Sequence, residues 1–191
     1  MKMFEDGYRV QVLGHIRIWE KESGKVLFDD HNAVHYENMS VGIAQSLAGD
    51  LNGSIYSLAF GNGGARATST NKFIYSTPQT LGRSATLYNQ TYEKIVGAGN
   101  DPDNNITVSH ISGNLFSDIL VSATLGINEP SDQESTNTVT GNGDMISSYT
   151  FSEIGLKTKD GYLLTHRCFY PILKASNIAL QLAYMLRIQI V

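Results

Sequence analysis

The chain has 191 residues, enough for one domain with a sizeable core. Its net charge of −4 and its lack of any Lys/Arg cluster argue against nucleic acid as a partner. The single cysteine, Cys168, excludes an internal disulfide and a cysteine-based zinc site.

Charged residues make up 17% of the chain, below the ~25% of ordinary soluble domains. Ser, Thr, Asn, Gln and Gly must therefore cover much of the outside, which favours strands and loops over surface helices. Residues 1–20 carry Glu5, Asp6, Arg9, Arg17 and Glu20, with none of the continuous apolar stretch of a signal peptide. No apolar run approaches the ~18 residues that cross a membrane as a helix, so no membrane partner is expected.

Residues 1–7 read as a short N-terminal arm. Period-two alternation then predicts a strand over 8–19, with Val10, Val12, Ile16 and Ile18 apolar and Gly14 marking a bulge that resets the face. A polar turn at 20–25 leads to a returning strand at Val26, Leu27 and Phe28, ended by Asp29, Asp30 and Asn32. Met39, Ile43 and Leu47 recur every four residues, which predicts a helix over 36–48 with Gly49 as its left-handed cap. A strand over 55–60 follows the turn pair Asn52-Gly53 and runs into Gly61-Asn62-Gly63-Gly64, read as a tight framework turn that only glycine suits.

Residues 61–80 read as a long excursion loop. Further strands are predicted at 85–96, 106–111, 115–125, 149–157 and 163–170. A turn spans 97–105, a hairpin turn lies at Lys159-Asp160-Gly161, and Pro171 interrupts the chain. The long polar loop 127–144 is expected to serve interaction. Residues 178–191 alternate longest of all, which places that strand at the centre of a sheet or against a neighbouring subunit. Eight to ten strands and one helix predict a mainly β, antiparallel, jelly-roll-like β-sandwich formed by a single domain over 1–191.

Chemical constellations are weak. His31 and His35 have helical metal-ligand spacing, but HNAVH lacks the glutamate of a metalloprotease, and turn and packing roles fit better. Asp101, Asp103 and Asn105 begin like a calcium loop without its glycine and distal glutamate. Gly61–Gly64 lacks the Lys-Ser/Thr of a phosphate loop. His110, His166, Asp118 and the serines show no nucleophile elbow, and Cys168 reads as a small buried apolar residue. No catalytic residue, cofactor or metal is expected. Ten tyrosines, several beside polar loops, make Tyr75, Tyr88 and Tyr92 candidate interface residues. Asn128, Glu129 and Thr138 of the long loop join them.

One order of motifs runs through most of the chain. It begins with the N-terminal hairpin, Asn32, and the helix ending Leu47-Ala48-Gly49. The strand Ile55-Tyr56-Ser57-Leu58-Ala59-Phe60 then enters Gly61–Gly64. It closes with Ser152-Glu153-Ile154-Gly155-Leu156, the turn Asp160-Gly161, Leu163-Leu164-Thr165-His166 and the last alternating strand. This order resembles the small virion structural proteins of tailed bacteriophages. The resemblance implies a non-enzymatic component of the neck, tail, baseplate or fibre-attachment region, with a head decoration protein as the alternative. It implies other virion proteins and copies of itself as partners, a virion location after assembly in the host cytoplasm, and no catalytic residues. Residues 65–145 depart most from the pattern. A carbohydrate-binding β-sandwich, taking a host glycan on Tyr and Asn/Asp loops, is the rival from another class.

Overall fold

A computed structural model describes residues 7, 9–70, 72–97, 101–127, 129–130 and 148–191. The described residues hold twelve strands, one α-helix and one 3-10 turn. The strands are β1 (Val10–Glu20), β2 (Val26–His31), β3 (Ala33–Val34), β4 (Ile55–Gly61), β5 (Ala65–Ala67) and β6 (Phe73–Tyr75). They continue with β7 (Gln90–Ile95), β8 (Asn105–Ser109), β9 (Phe116–Leu125), β10 (Ser148–Thr158), β11 (Thr165–Ala175) and β12 (Leu180–Ile190). The helix α1 spans Tyr36–Leu47.

Two five-stranded sheets, in the orders β2-β1-β12-β9-β8 and β3-β11-β10-β4-β7, form an antiparallel β-sandwich. The small hairpin β5-β6 is a separate two-stranded sheet that packs on β11, Phe73 against Tyr170 at 4.8 Å. Period-two alternation puts Ile16, Ile18, Val121, Ala123, Leu182, Tyr184 and Leu186 of the first sheet on one face. Leu58, Phe60, Phe151, Ile154, Leu156 and Phe169 of the second meet them in one buried cluster. The long C-terminal strand β12 lies centrally, between β1 and β9. The two halves of the alternating pattern are thus satisfied at once: Leu180, Leu182 and Tyr184 go inward, and Gln181 and Ala183 outward.

The helix starts where predicted. His35 caps it by accepting the Asn38 N–H at Nδ1, and Gly49 takes the left-handed conformation beyond its end. The predicted hairpin turn at Lys159-Asp160-Gly161 is also present, with Gly161 at positive φ.

Four expectations need correction. Gly14 makes no bulge: β1 pairs with β12 from Val10 to Glu20 without a shift, and the irregularity against β2 lies at Ile18/Trp19. Glycine is required there because a Cβ would lie 1.7 Å from Asn32 Oδ1. Asp29 and Asp30 do not end the second strand. They lie within β2 and pair outward, Asp29 with His15 and Arg17, Asp30 with Arg167. Pro171 does not break the chain either; it sits inside β11, where the register with β10 shifts, the position at which a sheet tolerates a missing N–H. Finally, only 90–95 of the predicted strand 85–96 is extended, because residues before it belong to a separate covering segment.

A polar chain crosses the apolar core. Asn32 Nδ2 donates to the fully buried Tyr184 hydroxyl, which donates to Thr165 Oγ1, and that oxygen also accepts the Leu156 N–H. Tyr184→Phe would strand Asn32 and Thr165 without this partner. We expect a loss of about 1–3 kcal/mol, read as a lower urea midpoint at unchanged slope. An unchanged midpoint would show that the bridge contributes nothing.

Candidate functional site: a buried carboxylate under the 62–89 excursion

The excursion after β4 is not a free loop. It folds back over the outer face of the second sheet as a third layer, and framework side chains hold it there. The arrangement begins at β10. Ile154 and Leu156 enter the core, so Glu153 and Gly155 take the opposite face. The tight turn ending at Gly161 sets the return of β11, which brings Cys168 opposite Glu153 and places His166 beside it.

Glu153 is fully buried, and its carboxylate is saturated. Oε1 accepts the N–H groups of Gly63 at 2.9 Å and Asn89 at 2.8 Å. Oε2 accepts the Tyr88 N–H at 2.9 Å and meets His166 Nε2 at 3.0 Å. Desolvation pushes its pKa upward. The hydrogen bonds from His166, Asn89, Tyr88 and Gly63 outweigh that and hold the carboxyl below its ordinary value. Next to it, the Ser152 hydroxyl accepts the Gly64 N–H at 3.1 Å.

Gly61-Asn62-Gly63-Gly64 therefore needs glycine for closeness, not for backbone freedom, which corrects the reading as a turn of special geometry. None of its glycines has a positive φ. A Cβ on Gly61 would lie 2.4 Å from Asn89 O and 2.5 Å from Glu153 Oε1. On Gly63 it would lie 2.6 Å from Tyr88 Cβ, and on Gly64 2.3 Å from Ser152 O. The backbone must pass this near for its N–H groups to reach the carboxylate.

Further along, His166 Nδ1 accepts the Gln79 N–H at 2.8 Å, and His35 Nε2 donates to Gly82 O at 3.1 Å. Asn38 Nδ2 donates to Arg83 O and Leu163 O, and Tyr36 N to Thr80 O. Leu87, Ala59 and Leu163 form a small second core beneath.

Glu153, His166 and Cys168 offer donor atoms within 4.8 Å of one another, a spacing that suits a metal ion. The protons do not suit it. His166 Nδ1 faces the Gln79 N–H and must accept, so the ring proton lies on Nε2, pointing at Glu153. A metal-bound histidine instead donates from its outer nitrogen. Burial, then the Glu153 charge, push the Cys168 thiol up to about 12, which keeps it protonated and unreactive. The cluster is a clasp that holds the excursion to β10 and β11.

The other sequence candidates are dispersed. Tyr75, on β6, and Tyr88 are about half exposed. Tyr88 donates its hydroxyl to Thr77 O. Tyr92 packs half-buried on Phe60, and burial, then Glu129, push its phenol up to about 12. Glu129 pairs with Lys94 at 2.6 Å and accepts the Gly126 N–H. Asn128, Thr138 and most of loop 127–144 lie outside the described residues, as do residues 1–6 of the arm. His31 meets Gly14 O, whereas His35 meets Asn38 N and Gly82 O. Asp118 forms a paired fork with Arg187, and His110 meets Phe116 O. Asp101 closes its own turn by accepting from Asp103 N and Asn104 Nδ2.

The Glu153–His166 pair escaped sequence reading. A signal existed: Glu153 is the one acid in β10, set among Phe151, Ser152, Ile154 and Leu156, and the Asp160-Gly161 turn fixes which residue comes opposite. Because the carboxyl sits below the ordinary 4.5, its contribution is complete above that pH and is lost as pH falls through the lowered value. Thermal unfolding between about pH 6 and 3, a range that spans the ordinary carboxyl value, will therefore show a falling midpoint in wild type. The decline will flatten in a chain carrying Glu153→Gln; parallel declines would remove Glu153 from the account. Comparison of the chain with protein-family models, with curated proteins and with solved structures returned no match.

Proposed function

We propose that this chain is a non-enzymatic structural component of a tailed-phage particle, of the neck, tail, baseplate or fibre-attachment type. It assembles first with copies of itself, through the apolar end of the sandwich beside α1. The observation that carries this is apolar surface left uncovered where side chains of inward parity reach that end. Val10 is 58% exposed, Val108 70%, Ile190 41% and Leu47, on the helix, 85%. Val108 and Leu47 line a groove of about 340 Å³ with Val12, Ile43, Ile119, Leu186 and Ile188, and Val10 lines a second groove that shares Val12, Met39 and Ile43 with it. Contiguous apolar surface of this kind marks protein interfaces.

A second copy fits because of the neighbouring edge. The strand β8, Asn-Ile-Thr-Val-Ser, ends the first sheet and carries no charge or proline to block pairing. Two such edges related by a two-fold axis pair antiparallel, extend the sheet and cover both copies of Val108. The low charge and the motif order of the chain support the particle setting. The sealed Glu153–His166–Cys168 cluster supports a non-enzymatic role.

The test is incorporation. Purified particles from cells making the wild-type chain should contain it. Val108→Asp, at an exposed position, should melt like wild type yet fall at least about tenfold in incorporation, as expected when one apolar interface anchor is lost. Absence of the wild-type chain from particles, or equal incorporation of the variant, would overturn the reading.

A further inference from the structure

Of the five histidines, His15 and His31 stand opposite each other at the edge of the first sheet. Just before β1, Arg9 and Val191 bond each other through their backbones, so the odd residues of β1 turn to β12. Its even residues turn to β2, as Gly14 O does towards the Asn32 N–H. His15 and His31 are therefore a non-hydrogen-bonded pair, the closer of the two kinds in an antiparallel ladder, with Cα atoms about 4.5 Å apart. Their ring centroids lie 5.4 Å apart with the planes at 80°. Two imidazoles on one tetrahedral ion, each nitrogen about 2.0–2.1 Å from it, hold their centroids about 5 Å apart.

The protons agree with that spacing. Asp29, two before His31 and on the same face of β2, places Oδ1 3.0 Å from His15 Nε2. A carboxylate accepts, so His15 carries its proton on Nε2 and leaves Nδ1 bare. His31 Nδ1 lies 3.3 Å from Gly14 O, which also accepts, so Nε2 is the bare nitrogen of that ring. Neither bare nitrogen has a partner among the described residues. An outer N–H held by a carboxylate or a carbonyl is the usual support of a metal-bound histidine. The buried His35 and His166 are wired the other way, with Nδ1 accepting a backbone N–H.

We infer that His15 Nδ1 and His31 Nε2 together take a divalent transition-metal ion of the kind that prefers imidazole, zinc, copper or nickel, with Asp29 as the positioning residue. The ion staples β2 to β1. That strand is the outermost of its sheet, and its register with β1 slips at Ile18/Trp19. His31 is its last residue before the chain passes to β3 in the second sheet. A tetrahedral ion has two further positions for water, which the exposed His31 and half-buried His15 leave accessible. The Asp29 charge favours a dication there. Arg17, 3.7 Å from Asp29, opposes it, and its guanidinium also lies over the Trp19 ring at 5.7 Å. The site is at the opposite edge of the sheet from β8, and the inference does not depend on the particle reading.

Zinc ion alone, added to the untagged, metal-free full chain, tests this. Proton–nitrogen spectra of the imidazole rings should saturate at one ion per chain. The large nitrogen shifts should fall on His15 Nδ1 and His31 Nε2, while His35, His110 and His166 keep theirs. Zinc should also raise the thermal midpoint, because it binds the folded chain. His15→Gln, His31→Gln and Asp29→Ala should each melt like wild type without zinc and bind it at least about tenfold more weakly. Unshifted His15 and His31 rings in wild type at millimolar zinc, or shifts centred on His110, would overturn the site whatever the variants do. Wild-type affinity in folded Asp29→Ala would overturn the positioning role.

Discussion

Glu153→Gln will destabilise the protein by about 3–5 kcal/mol, the range seen when one partner of a buried charged network is removed. The carboxylate accepts from three backbone N–H groups and from His166. An amide keeps one acceptor oxygen and presents an NH2 group where two donors already point. Each stranded donor costs about 1–3 kcal/mol, and Glu153 is fully buried. Glu153→Leu fills the volume but leaves four donors bare, so it should be at least as damaging. Urea unfolding at neutral pH reads the difference; a loss under about 1 kcal/mol, the net value of an ordinary hydrogen bond, would mean that the clasp is ornamental.

Gly64→Ala is the second large effect. A Cβ there would stand 2.3 Å from Ser152 O and 2.8 Å from Glu153 Cβ, and backbone in the middle of a sheet cannot move aside cheaply. Overpacking of that kind costs about 1–3 kcal/mol, and here it also pulls the Gly63 and Gly64 N–H groups away from Glu153 and Ser152. The upper end is expected. Gly49→Ala is the control. Gly49 has φ of +79° with nothing within 4 Å of a new Cβ, so it carries only the left-handed strain of about 1–2 kcal/mol. If the two substitutions cost the same, Gly64 is there for backbone freedom after all and the close-approach account fails.

This contrast also shows where sequence reading stops. The alternation of 178–191 placed β12 because its apolar side chains all lie two apart, and the Met39–Ile43–Leu47 stripe with Gly49 placed α1 for the same kind of local reason. Local patterns say which face is apolar. They do not say what passes over a face. Gly14 and Gly64 look like conformational signals, yet each is set by a residue remote in sequence, Asn32 and Ser152. Pro171 looks like a strand breaker because its tolerance depends on a register shift with β10. Residues 61–80 look like loop, and 85–89 like the start of a strand, because their order comes from partners at 35, 38, 153 and 166, none of which repeats with any period. His166 was visible as a residue and invisible as the partner of Glu153 and Gln79.

Buried polar groups hold the excursion over one sheet, and the proposed self-assembly uses the exposed apolar groups beside α1. The mass of the isolated chain in solution tests this most directly. Sedimentation equilibrium over a hundredfold range of concentration, wide enough to reveal a 2.7 kcal/mol linkage, should give a multiple of the 20.9 kDa chain that Val108→Asp reduces. A mass of 20.9 kDa at every concentration, the same for both chains, would contradict it.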